Sequence, residues 1–270
     1  MAVATPDFGD DVRFAHVLAD AADAISLGRF RAQDLHVETK PDLTPVTDAD
    51  RAVEDSIRTT LSRSRPRDAM LGEEFGASGQ GPRRWVVDPI DGTKSFVRGV
   101  PVWATLIGLM VEDEVVAGVV SAPALDRRWW AARGQGAWTG RSLARASRCG
   151  VSDVSSLSDA SLSYSSLEGW ETAGRLEPFF GLMRACWRSR GYGDFWSYVL
   201  VAEGAVDVAC EPDLALHDMA AVSVIVEEAG GRFTSLDGVP GAGGGNAVAT
   251  NGRLHDEVLQ RLSPAAAAPR

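Results

Sequence analysis

Lysine is almost missing from this chain of 270 residues. Its 27 basic residues are two lysines, Lys40 and Lys94, and 25 arginines. The bias is that of a GC-rich genome. Cysteine is scarce too: Cys149, Cys186 and Cys210 are odd in number and show no CxxC spacing. That excludes a disulfide framework and a cysteine zinc site, and leaves reduced, partly buried thiols. Net positive charge is absent, at −10. This disfavours nucleic acid or an anionic membrane as a partner. An anionic substrate stays open, because a bound cation can reverse the local field. No apolar run nears the roughly 18 residues of a membrane span. Residues 1–11 lack the basic-then-apolar pattern of a signal peptide. The expectation is a cytoplasmic protein of one large domain or two packed lobes.

What is present centres on Trp85-Val86-Val87-Asp88-Pro89-Ile90-Asp91-Gly92-Thr93-Lys94-Ser95-Phe96. A short apolar run ends on Asp88, and Asp91 follows three residues later. Two carboxylates this close repel, and Pro89 stiffens the backbone between them. A hard divalent cation between them explains the pattern. Glycine at 92 admits a ligand close to the backbone. A helical turn starting there would aim free N–H groups at an anion.

Around this stretch the hydrophobic pattern alternates between helix and strand. Residues 10–29 read as a helix containing His16, a packed or surface histidine. Residues 38–46, with two prolines, read as a loop. Thr47 reads as an N-cap, with Thr47-Asp48-Ala49-Asp50 as a capping box and Val53, Ile57 and Leu61 following at helical spacing. Residues 69–72 form a strand ending at Glu73-Glu74, and 76–82 a turn-rich loop. Strands follow at 85–88, 103–111 and 115–122, then a hairpin over 129–138. Its Gly134-Gln135-Gly136 reads as a plain turn rather than a phosphate loop. Residues 139–158 form a polar crossing. The second half reads as strands at 160–165, 206–210, 232–235 and 247–250, with helices at 176–184, 195–203, 219–229 and 254–262. The expected division is a lobe over 1–145 carrying most metal ligands, a lobe over 146–262 carrying Asp218, and a disordered tail at 263–270.

The acids Asp50, Glu73, Asp88, Asp91, Glu211 and Asp218 fall mostly at strand ends and helix starts, where α/β proteins build sites. No histidine or cysteine cluster competes with them. The donor set is hard and points to Mg²⁺ or Mn²⁺ rather than Zn²⁺. Metals beside an anion-binding turn point to phosphoryl transfer to water.

Asp88-Pro89-Ile90-Asp91-Gly92-Thr93 resembles the first signature of the inositol monophosphatase superfamily, D-P-[IL]-D-G-T. Gly72-Glu73-Glu74 resembles its G-E-E. His217-Asp218-Met219-Ala220-Ala221, with Glu227 and Ala229-Gly230-Gly231, resembles the second signature, W-D-x-A-A…E-A-G-G. Val46-Thr47-Asp48-Ala49-Asp50 resembles V-T-x-x-D. The four blocks stand in order over residues 40–252. The resemblance implies an α/β fold layered αβαβα and Mg²⁺-dependent, lithium-sensitive hydrolysis of a small phosphate monoester. It implies that Glu73, Asp88 and the carbonyl of Ile90 hold one metal, and that Asp88, Asp91 and Asp218 hold a second. A third, looser one would share Glu73. Asp50 and Thr93 would help activate water, with Glu73 counted among the catalytic residues. Gly92, Thr93 and Lys94 would grip the phosphate. A homodimer is also implied. Two positions depart from the pattern: Ser95 replaces Asn, and His217 replaces Trp and is expected to act as a packing ring, with a donor role to its neighbours as the alternative.

Residues 94–107, Ser121-Ala122-Pro123-Ala124, Arg128-Trp129-Trp130-Ala131-Ala132 and Tyr192-Gly193-Asp194-Phe195 resemble the histidinol-phosphate phosphatase branch of actinobacterial type. A cationic or proton-donating alcohol end calls for carboxylates, and Asp194 and Glu211 are placed to supply them. An inositol or sugar phosphate is the alternative substrate. A non-catalytic binding protein of the same fold is the alternative role, disfavoured by the intact acid set.

Overall fold

The computed structural model describes residues 7–41 and 43–263. Residues 264–270 of the expected tail lie outside the described residues. Helix α1 (Gly9–Arg29) buries Val12, Ala15, Leu18, Ala19 and Ala22 along one stripe, the spacing a surface helix uses against a core. A hairpin of β1 (Val37–Thr39) and β2 (Pro45–Thr47) occupies the segment read as a loop. Helix α2 (Asp48–Ser64) starts on the expected capping box: Thr47 Oγ1 accepts from the N–H of Ala49 and Asp50, and Asp50 Oδ2 accepts from the N–H of Thr47 at 2.8 Å. Such a cap stabilises by about 1 kcal/mol.

Next come β3 (Ala69–Gly72), β4 (Gly76–Ser78), β5 (Arg83–Asp91), the short α3 (Thr93–Val97), β6 (Ala104–Val111), β7 (Glu114–Ala122), β8 (Arg127–Ala132), β9 (Ala137–Ser142) and β10 (Arg145–Arg148). They build an eight-stranded sheet in the order β10-β9-β8-β7-β6-β5-β3-β4. Two sequence expectations are corrected here. Residues 76–82 are not all loop, because β4 pairs antiparallel with β3. The polar crossing at 139–158 begins as a hairpin of β9 and β10. Both strands lie at or beside a sheet edge, where polar residues serve as well as apolar ones. The Gly134-Gln135-Gly136 turn is filled from within: the N–H groups of Gly134 and Gly136 donate to the Glu228 carboxylate at 2.8 and 2.7 Å.

The second half supplies β11 (Ser161–Ser163), α4 (Leu167–Thr172), α5 (Leu176–Ala185), β12 (Arg188–Arg190), α6 (Asp194–Ala202), β13 (Val208–Glu211), α7 (Leu216–Glu228), β14 (Arg232–Thr234), β15 (Ala247–Thr250) and α8 (His255–Leu262). Its five-stranded sheet runs β12-β11-β13-β15-β14. Helix α4 has no counterpart in the sequence reading.

Period-two alternation dictates the layers. Trp85, Val87, Ile107, Leu109 and Val119 face α1 and α2. Leu106, Val120, Trp129 and Ala131 face the opposite way, onto α6 and α7. Ala209, Ala247 and Ala249 of the second sheet close over those two helices from the far side. Val208, Cys210 and Val248 turn outward to α4, α5 and α8. The result is α–β–α–β–α.

Two glycines set how close α7 lies. Gly108 and Gly118 are register partners on β6 and β7. A Cβ at Gly108 would lie 2.8 Å from the Ala220 side chain, and one at Gly118 2.7 Å from the Ala221 carbonyl. Only hydrogen at both positions lets the helix settle on the sheet. That contact brings Asp218, in the first turn of α7, toward the end of β5. Within the first half, His16 is buried and accepts from Arg128 Nη1 at 2.9 Å, while Arg128 also pairs with Asp23 at 2.6 Å.

Candidate active site

Strand β5 runs on through Pro89 to Asp91, longer than the apolar pattern indicates. A register irregularity between Asp88 and Asp91 on the β6 side accommodates the proline. Asp88 is buried; Asp91 and Asp218 are half-buried and open toward the cleft. Strand β3 runs parallel to β5 with Gly72 opposite Val87, and the Glu73 N–H donates to the Val87 carbonyl at 3.2 Å. This sets Glu73 beside Asp88. The turn is pinned by the fully buried Glu54, whose carboxylate accepts from the N–H of Glu74 at 2.7 Å and of Phe75 at 3.1 Å.

Donor atoms of Asp88, Asp91 and Asp218 all lie within 4.8 Å of one another. So do those of Glu73, Asp88 and His217. The second group corrects the expectation for His217. It is no packing ring but lines the cleft, with Nε2 3.6 Å from Asp218 Oδ1. It precedes Asp218 on the same half-buried first turn of α7, so it shares that turn's outlook.

The electrostatics are those of a cluster short of positive charge. Burial, then Glu73, Asp91 and Asp218, push the Asp88 carboxyl well above its ordinary range. Burial, then Asp194 and Asp218, do the same to Asp91, opposed by the Phe195 N–H at 2.6 Å. Asp218 is raised by burial, with His217 and the Ala215 N–H acting against it. Asp88 Oδ1 is buried with no hydrogen-bond partner. An orphaned buried carboxylate oxygen among converging acids fits a hard divalent cation.

Gly92 follows Asp91 with φ +83°, the left-handed region that favours glycine. A Cβ there would lie 3.0 Å from the Val102 carbonyl and 3.2 Å from Asp194 Oδ2. Thr93 opens α3, and its hydroxyl donates to the Ile90 carbonyl at 2.9 Å. Asp50 Oδ1 lies 3.5 Å from the same hydroxyl. Asp50 is held on its other oxygen by the Thr47 hydroxyl at 2.6 Å, and burial pushes its carboxyl up to about 6.

These groups line one cleft of about 550 Å³, with Lys40, Lys94, Asp194 and His217 on its walls. A side chamber of about 150 Å³ opens from it, sharing Asp91, Asp194 and Asp218 and ending at Phe195, Tyr198 and Glu211. Asp194 starts α6 with φ +51°, and its N–H donates to Ser165 Oγ at 3.0 Å. Glu211 is buried at the end of β13 and accepts from the Tyr198 hydroxyl at 2.9 Å. Burial pushes its carboxyl up to about 8. Every residue singled out in the sequence as a site candidate thus lies in this cleft, in its side chamber, or, for Asp50, against Thr93 in its wall.

Sequence reasoning missed Lys40 and Glu54, and for His217 it gave a donor role to its neighbours only as the alternative to a packing ring. Lys40 left a signal. Both lysines of an arginine-rich chain line the cleft, and no arginine does among the described residues.

Comparison with known proteins agrees with this fold. The profile of the inositol monophosphatase family matches residues 10–266. A histidinol-phosphatase of Streptomyces coelicolor is 64% identical over 262 residues, 96% of this chain and 98% of that protein. One of Mycobacterium tuberculosis is 61% identical, covering 94% and 98%. Among solved structures, the Thermotoga maritima IMPase superposes with TM-score 0.84 at 29% identity, covering 94% of this chain and 96% of that one.

Proposed function

Because the chain belongs to the inositol monophosphatase family, we propose that its cleft hydrolyses L-histidinol phosphate to L-histidinol and phosphate, a step of histidine biosynthesis. The protein is a histidinol-phosphatase, a phosphoric monoester hydrolase. The observation that carries this reading is the side chamber: it joins the acid cluster and ends on two further carboxylates, Asp194 and Glu211. A chamber so lined suits the amine and imidazole of histidinol, whose N–H groups donate to a carboxyl oxygen in either of its charge states.

Glu73, Asp88 and the Ile90 carbonyl would hold one Mg²⁺, and Asp88, Asp91 and Asp218 a second; a third would share Glu73, and Mn²⁺ could substitute. Bound there, such ions lower the pKa of water and neutralise charge at the leaving oxygen. Gly92, Thr93 and Lys94 hold the phosphate through their backbone N–H groups. Thr93 orients the attacking water. Its one hydrogen goes to the Ile90 carbonyl, and Asp50 Oδ1, 3.5 Å from the same hydroxyl, would be its acceptor if that carbonyl served as a ligand. A carboxyl raised to about 6 suits proton transfer near neutral pH. Glu73 lies on the same side of the cluster as a further acceptor. Asp194 and Glu211 read the cationic end of the alcohol.

Two wider properties complete the proposal. No helix among the described residues is long and apolar enough to cross a membrane, and we place the protein in the cytoplasm. We take it to work as a homodimer.

Phosphate release measured side by side on L-histidinol phosphate and inositol 1-phosphate tests the substrate. With Mg²⁺, kcat/KM should favour histidinol phosphate by roughly 100-fold, the upper end of what one buried polar group left unpaired by the wrong ligand costs. Excess chelator should abolish release from both. Equal or reversed preference would return the choice to an inositol or sugar phosphate. No release from either, by a folded preparation, would favour a binding role.

A further inference from the structure

Tyr198 ends the side chamber, and the proposed reaction does not use it. It follows Asp194 by one turn of α6, so the two stand on the same face of the helix. Its ring is 2% exposed and packs on Phe233 with 5.8 Å between centroids. A ring held in this way keeps its place, and its hydroxyl donates to Glu211 Oε1 at 2.9 Å.

The chamber is otherwise poor in donors. Its walls carry four carboxyls, those of Asp91, Asp194, Glu211 and Asp218, and no lysine, arginine or histidine among the described residues. Three backbone N–H groups there are spent elsewhere: that of Phe195 on Asp91 at 2.6 Å, that of Asp194 on Ser165 at 3.0 Å and that of Leu214 on the Gly245 carbonyl at 2.9 Å. Glu211 is buried, and an ionised carboxylate in such a place is costly unless donors meet it. The phenol is one such donor. A ligand N–H would be the second.

We propose that Tyr198 readies Glu211 for a cationic ligand: the phenol holds one carboxylate oxygen, the ligand's N–H takes the other, and Glu211 is ionised and fully bonded only with such a ligand in place. A proton that Glu211 carries beforehand leaves to solvent as the cation enters. A neutral hydroxyl brings no charge to hold that state, and gains only the weaker bond between neutral groups. Tyr198 acts through Glu211 and is a positioning residue rather than a catalytic one. This rests on the reading of the chamber as the seat of the alcohol.

Tyr198→Phe keeps the ring and removes the donor. Phosphate release from L-histidinol phosphate and from glycerol 2-phosphate, a small monoester with a neutral alcohol, tests it. Glu211→Gln, the double variant and Tyr192→Phe are measured alongside, with thermal melts to confirm that each folds. Tyr192→Phe removes a hydroxyl that bonds Arg188 and does not line the chamber. In Tyr198→Phe, KM for histidinol phosphate should rise roughly tenfold, the scale of one charge-assisted hydrogen bond. Its kcat should be unchanged, as should KM for glycerol 2-phosphate. The double variant should be no worse than Glu211→Gln alone, because residues that act as a unit do not add. Tyr192→Phe should match wild type. In wild type itself, L-histidinol should inhibit roughly tenfold more strongly than inositol. Losses that multiply in the double variant, a KM that rises on both substrates or on neither, or an equal rise in Tyr192→Phe would overturn the role of Tyr198 and leave the substrate reading intact. Equal inhibition of wild type by the two alcohols would overturn both.

Discussion

Asp91 meets three parts of the molecule at once: it ends β5, accepts from the N–H of Phe195 on α6, and shares a donor group with Asp218 on α7. Its carboxyl is raised because burial and neighbouring acids oppose its charge. Asp91→Asn removes one of the opposed charges and one metal ligand together. The two consequences separate experimentally. Without metal the variant should be as stable as wild type or more so, read as Tm in chelator. With Mg²⁺ its kcat should fall by roughly a thousandfold or more, as for loss of a charge-stabilising group in the transition state. A fall in both would mean that Asp91 serves the fold. In the side chamber the balance differs. Glu211→Gln keeps an acceptor for the Tyr198 hydroxyl but cannot carry charge. KM for histidinol phosphate should rise roughly tenfold for Glu211→Gln or Asp194→Asn, the scale of one charge-assisted hydrogen bond. A neutral monoester should show no such change, and equal effects on both substrates would remove these residues from the reading of the alcohol. At this scale the sequence was most legible where spacing itself carries chemistry, as in Asp88, Asp91 and Gly92. Glu54 could not be found that way. It works by turning its carboxylate inward to two N–H groups 20 and 21 residues away, and nothing local distinguishes it from a solvated helix acid.

Among the elements, the junction of β5 and α3 matters most to the site, and Gly92 makes it. A side chain at φ +83° is strained, and the Val102 carbonyl and Asp194 close the space a Cβ would need. Gly92→Ala should destabilise by about 1–3 kcal/mol. It should also cost more activity than stability, because the displaced Asp194 and the phosphate-holding N–H groups move together. Thermal melts and kcat/KM on the same preparation check this; an unchanged kcat/KM would show that the backbone there does not grip the phosphate. Long elements with a clear period, such as α1, α2, β6 and β7, lie within a residue or two of where their patterns put them. The elements that escaped are short or polar. Gly76-Ala77-Ser78 has no side-chain pattern, and it is a strand only because β3 presents a free edge. The β1–β2 hairpin hid behind two prolines, one of which begins β2. Helix α4 has six residues, too few to display a helical period.

Across the whole molecule, the layers bring acids from both sheets and from α7 into one cleft, and that convergence sets how stability responds to pH and metal. Glu211 is raised from 4.5 to about 8, so the folded protein keeps a proton that the unfolded chain gives up. Its contribution is complete below about 4.5 and is lost as pH rises through about 8. Asp50, raised from 3.8 to about 6, acts in the same direction over a lower window. His16 and His255 oppose them. Burial lowers both from 6.5 to about 4, so the unfolded chain binds protons that the folded one refuses. Their effect makes stability rise with pH between about 4 and 6.5 and then stops. Above 6.5 these histidines and Asp50 are largely spent, and Glu211 remains. The metal-free protein should therefore lose roughly 2 kcal/mol between pH 6.5 and 8 through Glu211 alone. For a chain near this size that is a fall in Tm of about 4–8 °C. Asp88 and Asp91, raised in the same direction, add to the loss. Mg²⁺ favours the ionised cluster and binds only the folded state, so it should lift Tm more at pH 8 than at pH 6.5. Glu211→Gln should flatten the metal-free slope while leaving the Mg²⁺ response in place. Melts in chelator across this range decide it: a Tm that holds level or climbs from pH 6.5 to 8 would mean that Glu211 and the cluster ionise in the folded protein without metal, and that the cleft is less desolvated than its packing implies.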